Sequence, residues 1–565
     1  MKSLVFIVAL VCLVPRLFGA VGSQPPSGGG GAPAVTSLAP GADLALALSN
    51  APSAFGAYQL GAGTYTVTPT NVAQAGRGAI NLFNKTNLTI QGVRGQTIID
   101  GSTFLGELLF ATNSPNLVLK DIVFKGRVVT NITQVVNEKD LLWSGVALYL
   151  CPNSIIEGCS FINHHDQGLS DQAFNTGVWQ YPSTNVIVRN CFFDNIGSQR
   201  TNSVLVSDGT AIVPTSWIVE NNVIVNSLRG IEPYDDVATA TRMDRCILRN
   251  NEIYNCLEAG ILSSDATNSY AVVVEGNHIV FEVGYTRRGT NLASICSGLS
   301  LAVGTRWEVR RNYIRGAPYR GIYCPGSAPQ MWDFQIEGNV IDGDNVMQVG
   351  IGMGDDAGTS VRYYNPIIKG NYITRCIYNG IQLYGTANAQ VTDNSIIDCC
   401  SDGTLSSGIH LQSFPFNTNA TLPGNYIIAN GTAVMKYGIE VDATEKQIYL
   451  LENTILNAAT AGIVNAAGDQ VQIMGPPRLA SFTYNLPSIG AGGNFTTNFA
   501  LAGTKTNDWV SVMLPAQFST AGNSTNMTWT WWGSNDVVFL QAQAIQAADP
   551  QNIRVRAISR QVEPY

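Results

Sequence analysis

An all-β solenoid is the fold class this sequence predicts, and three observations predict it. The first is a repeating phrase of the form x-N-x-I, then a few variable residues, then G-I. It reads cleanly at Asn222 with Gly230-Ile231 and returns at Asn251 with Gly260, Asn277 with Gly298, Asn312 with Gly321 and Asn339 with Gly350. Four more copies pair Asn371, Asn394, Asn425 and Asn453 with Gly380, Gly408, Gly438 and Gly462. The second is the period, which wanders between roughly 23 and 35 residues and falls in the range of stacked repeats. The third is composition: charged residues are only 13% while Gly numbers 56, the balance of an all-β chain with many turns.

Each copy holds two or three short runs of alternating apolar and polar residues, such as Phe334-Gln335-Ile336-Glu337. Runs this short cannot bury their apolar faces alone, so successive copies stack, each coil pairing its strands with the next at about 4.8 Å. The architecture is a parallel β-helix. Its Asn is expected at a tight bend in left-handed backbone geometry, with its side chain bonded to the Asn one coil away. Such a ladder is scaffold. Cys159 and Cys191 take the Asn place in earlier coils, and Asp121-Ile122-Val123 marks the coil before them.

From the start of the chain, residues 1–22 open with one Lys, continue in the apolar run Leu4 to Val14 and end in small residues. This is a secretory signal peptide, too short to span a membrane, and no second apolar run has the required length. The mature protein is expected outside the cell. Residues 23–41, rich in Pro, Gly and Ser, form a flexible linker, and Asp43 to Ala51 forms a short helix capped by Asp. The solenoid runs over 42–474. Pro476-Pro477 then breaks the pattern, and the runs at Trp509, Val537 and Ile553 predict a separate antiparallel β-sandwich over 475–565. Of the eleven cysteines Cys12 leaves with the signal peptide, and Cys256, Cys376 and Cys399 recur at equivalent places, which favours buried free thiols over disulfides. Eight N-x-S/T sequons, among them Asn84, Asn87, Asn419 and Asn430, are glycosylation candidates in a eukaryotic host. A net charge of −8 argues against nucleic acid as partner, while a local basic groove still admits an anionic sugar polymer.

The first coil carries the phrase Tyr58-Gln59-Leu60-Gly61-Ala62-Gly63-Thr64-Tyr65 after its short helix. This phrase and the repeats that follow resemble the pectate-lyase-like right-handed parallel β-helix superfamily, over 42–474. The resemblance implies the right hand of the helix, and a place among polysaccharide lyases, glycoside hydrolases, uronate epimerases, tailspikes and non-enzymatic surface proteins. Residues 475–565 resemble the small β domains that end phage tail and virion-associated proteins. His165-Asp166 matches half of the Asp-Pro-His-Asp motif of mannuronan epimerases, with Asn163 and His164 in place of its first two residues. Gly354-Asp355-Asp356 is similar to the Gly-Asp-Asp of polygalacturonases, whose Gly-His-Gly and Arg-Ile-Lys are missing here.

On the strand after each G-I, alternate side chains point outward and stacking lines them into rows. Two residues past each Gly stand Glu232, Leu262, Ser300, Tyr323, Gly352, Gln382, His410 and Glu440; two further on stand Tyr234, Ser264, Tyr384, Gln412 and Asp442. Just before the Gly come Arg229, Glu258, Arg320, Tyr319 and Tyr378. This mixture of Tyr, amides, carboxylates and Arg suits a polysaccharide groove, with Glu232, Tyr234, Tyr323, Gln382, Tyr384, His410, Asp355 and Asp356 as binding residues. Asp235, Asp236 and Asp265 gather on one rim. They are expected either to act as acid and base or nucleophile in glycoside hydrolysis, or to bind calcium in a lyase, with Arg229 and Arg320 completing the catalytic set. The function expected is a secreted lyase or hydrolase of an acidic polysaccharide. The alternative is a non-catalytic, tailspike- or adhesin-like glycan-binding rod, which predicts a homotrimer.

Overall fold

The computed structural model describes residues 34–474 except 68–77, 105–106, 127, 130–142, 167–174, 182, 197–208, 213, 215–216, 234–245, 264–270, 283–295, 302–305, 326–330, 355–362, 402–406, 414–416 and 431–434, together with six strands between 478 and 560. Each coil contributes one strand to each of three long parallel sheets. The first sheet has 16 strands, from Val35–Leu38 to Val471–Met474. The second and third have 14 each, from Gly63–Thr66 to Thr454–Leu456 and from Ile80–Phe83 to Ala461–Asn465. Asp43 caps the helix Leu44–Ser49 by accepting from the Leu46 amide at 2.9 Å, and Leu44 and Leu48 are buried in the core.

The repeated Asn lies between the first and second strands of each coil, buried from Asn222 to Asn425 and half-buried at Asn453. Asn251 Oδ1 accepts from both the backbone N–H and the side-chain Nδ2 of Asn222, at 3.1 and 3.0 Å. The same pair of bonds links Asn251 to Asn277 and Asn425 to Asn453. Cys191 precedes the ladder, its N–H donating to Asn222 Oδ1 at 3.0 Å. One expectation is corrected: the left-handed backbone belongs to the residue before the ladder Asn, at Asn221, Asn250, Gly276, Arg311, Gly338, Gly370, Asp393, Gly424 and Glu452. The bend needs positive φ there, which frees the Asn itself to turn its amide inward and satisfy it against the next coil.

The G-I phrase has a packing cause. Ile231, Ile261, Leu299, Ile322, Ile351, Ile381, Ile409 and Ile439 are all 0% exposed and form an apolar row inside the helix. Except Gly380, which immediately precedes its strand, the preceding glycines lie within the third-sheet strands, so close to the next coil that a Cβ on Gly350 would stand 2.6 Å from the Gly380 carbonyl oxygen and 2.4 Å from Ile373 Cγ2. All ten described cysteines are free and buried, as the repeat positions suggest. Beyond residue 474 the pairing turns antiparallel. Arg478–Tyr484, Ile553–Arg560 and Trp509–Met513 form one three-stranded sheet, and Asn494–Ala500, Val537–Ala544 and Met527–Ser534 another. The side-chain packing expected of a sandwich lies outside the described residues, as do the signal peptide and most of the linker.

Candidate functional site

Strands of the first and second sheets alternate buried with partly or fully exposed side chains, as at Gln335–Glu337 and Tyr372–Thr374. Part of the third sheet does not: Ala259–Ser263, Ser297–Leu301, Val349–Met353 and Ile381–Tyr384 are buried at every position, so the outward face is sheltered there, while at Ser407–Gln412 and Tyr437–Val441 the outward side chains are half-buried. A polar side chain held there is shielded from bulk water and acts in a lower effective dielectric.

The outward row follows the register read from the sequence. Leu262, Ser300, Tyr323, Gly352, Gln382, His410 and Glu440 are successive Cα partners on neighbouring strands. Tyr384 pairs with Gln412 one position pair further on. Six steps at about 4.8 Å give this row a length of roughly 29 Å.

Three groups stand along it. At one end Arg229 is 6% exposed and held between two carboxylates. Its Nη1 donates to both Glu232 oxygens at 2.9 and 3.0 Å, while Nε and Nη2 donate to Glu258 at 2.8 and 3.1 Å. In the middle, Arg320 is 5% exposed, with its guanidinium carbon 4.7 Å from the Tyr319 ring centre and 4.2 Å from that of Tyr323. Its Nη1 donates to the Gly354 carbonyl at 3.1 Å, and its Nε has no partner among the described residues. At the other end, Gln382 Nε2 donates to Tyr384 Oη at 2.9 Å and to Gln412 Oε1 at 2.7 Å. Next to these amides His410 Nε2 lies 3.3 Å from Asp442 Oδ1 and 3.9 Å from Glu440 Oε2. The Ser407 hydroxyl donates to Glu440 Oε2, and the Ser413 amide to Asp442 Oδ2 at 2.9 Å.

The electrostatics of this last group are uneven. Burial pushes the Asp442 carboxyl up, but the bonds from His410 and Ser413 together outweigh it and hold Asp442 below the usual carboxylate range. Nearby Glu445 is 1% exposed and burial pushes it up to about 8, against the Asn417 donors and with the Asp442 charge adding to the rise. Glu445 stands one coil past Asn417, accepting its N–H as a ladder Asn would. One atom each from His410, Glu440 and Asp442 lie within 4.8 Å of one another, so the set could hold a cation or move protons between two carboxylates.

The structure therefore brings His410 together with Glu440 and Asp442, Gln382 with Tyr384, and Arg320 with Tyr323. Arg229 and Glu232 form their own ion cluster three coils from Arg320. Asp235, Asp236, Asp265, Tyr234, Asp355 and Asp356 lie outside the described residues. His164, from the partial epimerase-like motif, is an interior residue whose Nε2 meets the Phe124 carbonyl at 3.2 Å, and burial pushes it down to about 4. Glu440 and Asp442 stood in the outward rows without a role. The signal that could have marked them is that they occupy the two registers beside His410 and Gln412 one coil earlier.

Closed three-sided coils in parallel register define a parallel β-helix solenoid. The chain belongs to the family described as right handed beta helix region, which matches residues 55–242 and 297–475. No curated protein shows significant sequence similarity to it. Among solved structures, it is similar to the A-module of the Azotobacter vinelandii mannuronan C-5 epimerase AlgE6, at 14% identity over 76% of this chain and 91% of that one, with a TM-score of 0.34. It is also similar to the tailspike protein of E. coli bacteriophage HK620 in complex with pentasaccharide, at 12% identity over 89% and 81%, TM-score 0.44. The Pseudomonas phage phi297 tailspike gp61 aligns at 10% identity over 92% and 91%, TM-score 0.41. Among the described residues no helix is long and apolar enough to cross a membrane.

Proposed function

We propose that this protein is an exported polysaccharide-active enzyme that lays its substrate along the outward face of the third sheet and cleaves it by acid–base chemistry at Glu440 and Asp442. The observation that carries the reading is the half-buried His410–Glu440–Asp442 set, placed beside Gln382, Tyr384 and Gln412 where the sheltered stretch of the third sheet ends. Amides and Tyr bind sugar hydroxyls and ring faces; two carboxylates perform the reaction.

Oxygens within 4.8 Å favour the retaining form of glycoside hydrolysis, whose carboxyl groups stand about 5–5.5 Å apart. Asp442, kept ionised by His410 and Ser413, attacks the anomeric carbon as the bond to the leaving sugar breaks. Glu440 gives its proton to the departing oxygen. Water, deprotonated by Glu440, then displaces Asp442 and restores both groups. Asp235, Asp236 and Asp265 enter the proposal as a calcium rim for an anionic chain, and β-elimination is the competing chemistry if that rim holds the reacting uronate.

The test is a panel of pectin, alginate, chondroitin and neutral glucans, incubated with the purified protein with calcium or with EDTA. New reducing ends without absorbance at 235 nm support hydrolysis. Absorbance at 235 nm that EDTA abolishes moves the chemistry to the aspartate rim. Retention on a glycan with no cleavage leaves the tailspike-like binding rod, for which a trimer by light scattering is the companion result.

A further inference from the structure

We propose that Arg320 is a specificity-determining residue: its sheltered guanidinium takes a carboxylate of the substrate and restricts the groove to anionic polysaccharides. The inference rests on the groove reading above and adds the charge of the sugar. Arg229 and Arg320 occupy one register column, linked through Ala259 and Ser297. They are equally buried, at 6% and 5% exposed. Their neighbours differ at two positions. Three residues on, Arg229 has Glu232 where Arg320 has Tyr323. In the next coil, the residue before the register partner is Glu258 for Arg229 and Gln348 for Arg320. Both carboxylates that neutralise the first arginine are thus replaced by neutral side chains around the second.

A buried guanidinium without a counter-ion is costly, and an aromatic face offsets only part of that cost. Tyr319 and Tyr323 supply two such faces and the Gly354 carbonyl one acceptor; among the described residues no carboxylate lies within ion-pair distance, and Nε remains unpartnered. The charge left unanswered among the described residues is open to an external anion. The guanidinium is also in the right place to meet one. It lies against the row at Gly352, where an added Cβ would stand 2.7 Å from Nη1. Three coils separate Arg320 from His410, about 14 Å, so a sugar chain lying along the row reaches both. A planar carboxylate matches the fork of Arg donors, whereas a hydroxyl cannot answer its charge.

The test measures binding of the full-length protein to polygalacturonate, alginate and hyaluronate, each beside the same polymer with its carboxyls reduced to alcohols. At least one acidic polymer should bind, and carboxyl reduction should weaken it about 30-fold or more. R320Q should lose the same factor on the acidic polymer and nothing on the reduced one, with R320K between. Equal binding of acidic and reduced polymers, or an R320Q protein that binds the acidic one like wild type, overturns the proposal. Retention of neutral glycans alone overturns it while leaving the groove reading standing; retention of none overturns both. Melting curves of R320Q separate loss of binding from loss of fold. In the same assay, a D355N/D356N pair that lowers the melting temperature of wild type but not of R320Q would show that the chain answers its own guanidinium, and the proposal would fall.

Discussion

The two charged groups at opposite ends of the row each set one basic side chain against two carboxylates and differ in whether their charges are answered. Around Arg229, four donor contacts meet two carboxylates, and the cluster is closed. Around His410, two carboxylates share one imidazole, a serine hydroxyl and a backbone amide, and no Lys or Arg among the described residues pairs with either. A closed ion set in a sheltered place fixes neighbouring coils to one another. An open one keeps lone pairs and a proton available for something that arrives from outside. On the proposed function, the same sheet face serves as scaffold at one end and as a reaction site at the other.

The widest separation between the two ends should appear in kinetics. E440Q and D442N are expected to lower cleavage by about 10²- to 10⁴-fold per folded molecule, because each removes a group that moves a proton or attacks. E232Q should instead lower the melting temperature and leave turnover per folded molecule unchanged. The comparison breaks if E232Q abolishes turnover without unfolding. Stability reads the closed end next: R229M leaves Glu232 and Glu258 sheltered and facing each other, and denaturant titration should show a loss of about 3–5 kcal/mol. Most of that loss should return in R229M/E232Q/E258Q. If R229M alone costs nothing, the cluster is not holding the coils.

A pH experiment sharpens the open end. Glu445 ionises near its ordinary value of 4.5 when the chain is unfolded and at about 8 when folded, the shift caused first by burial. Between those values the folded protein keeps a proton that the unfolded chain has lost. Stability therefore falls as pH rises through that window and is greatest below it. Glu107, pushed up to about 7 by burial, contributes in the same sense. Asp442 acts oppositely in more acidic solution, and so does His164, which burial lowers to about 4 and whose opposing effect ends near its ordinary value of 6.5, leaving the two glutamates to dominate up to pH 8. Melting temperatures of wild type should drop from pH 5 to pH 8, and E445Q should flatten part of the slope. Keeping Glu445 protonated also spares the His410 cluster a third negative charge.

Much of this was legible in the residues alone, and the exceptions have physical reasons. The G-I anchor and the two-residue period of a strand were enough to align Tyr323, Gln382 and His410 in one row, because register in a stacked helix is set by the inward isoleucines. The Asn ladder was legible too, but its left-handed residue was misplaced by one. Hydrogen-bond logic identifies an Asn at a bend without saying whether its backbone or its side chain is the part the bend requires. Glu440 and Asp442 were visible in their rows, yet pairing them with His410 depends on three-dimensional distances across coils that alternation does not supply. Glu445 and Glu107 carried no signal at all: Glu445, buried at the end of the Thr386–Asn417 ladder, looks in sequence like an acid in a loop.

The smallest effects concern the scaffold that keeps the two ends in register. Gly350 lies between them, and a methyl there would meet the Gly380 carbonyl at 2.6 Å and Ile373 at 2.4 Å. Backbone on a neighbouring coil cannot step aside as a side-chain tip can, so G350A should cost about 1–3 kcal/mol. Gly462 holds the equivalent place in the last third-sheet strand. With no further third-sheet strand against it among the described residues, its added Cβ would find nothing there nearer than Ile455 at 3.8 Å. G462A should therefore change stability by less than about 0.5 kcal/mol. Equal losses in the two variants would mean that glycine is required by the strand's own backbone and not by the approach of the next coil.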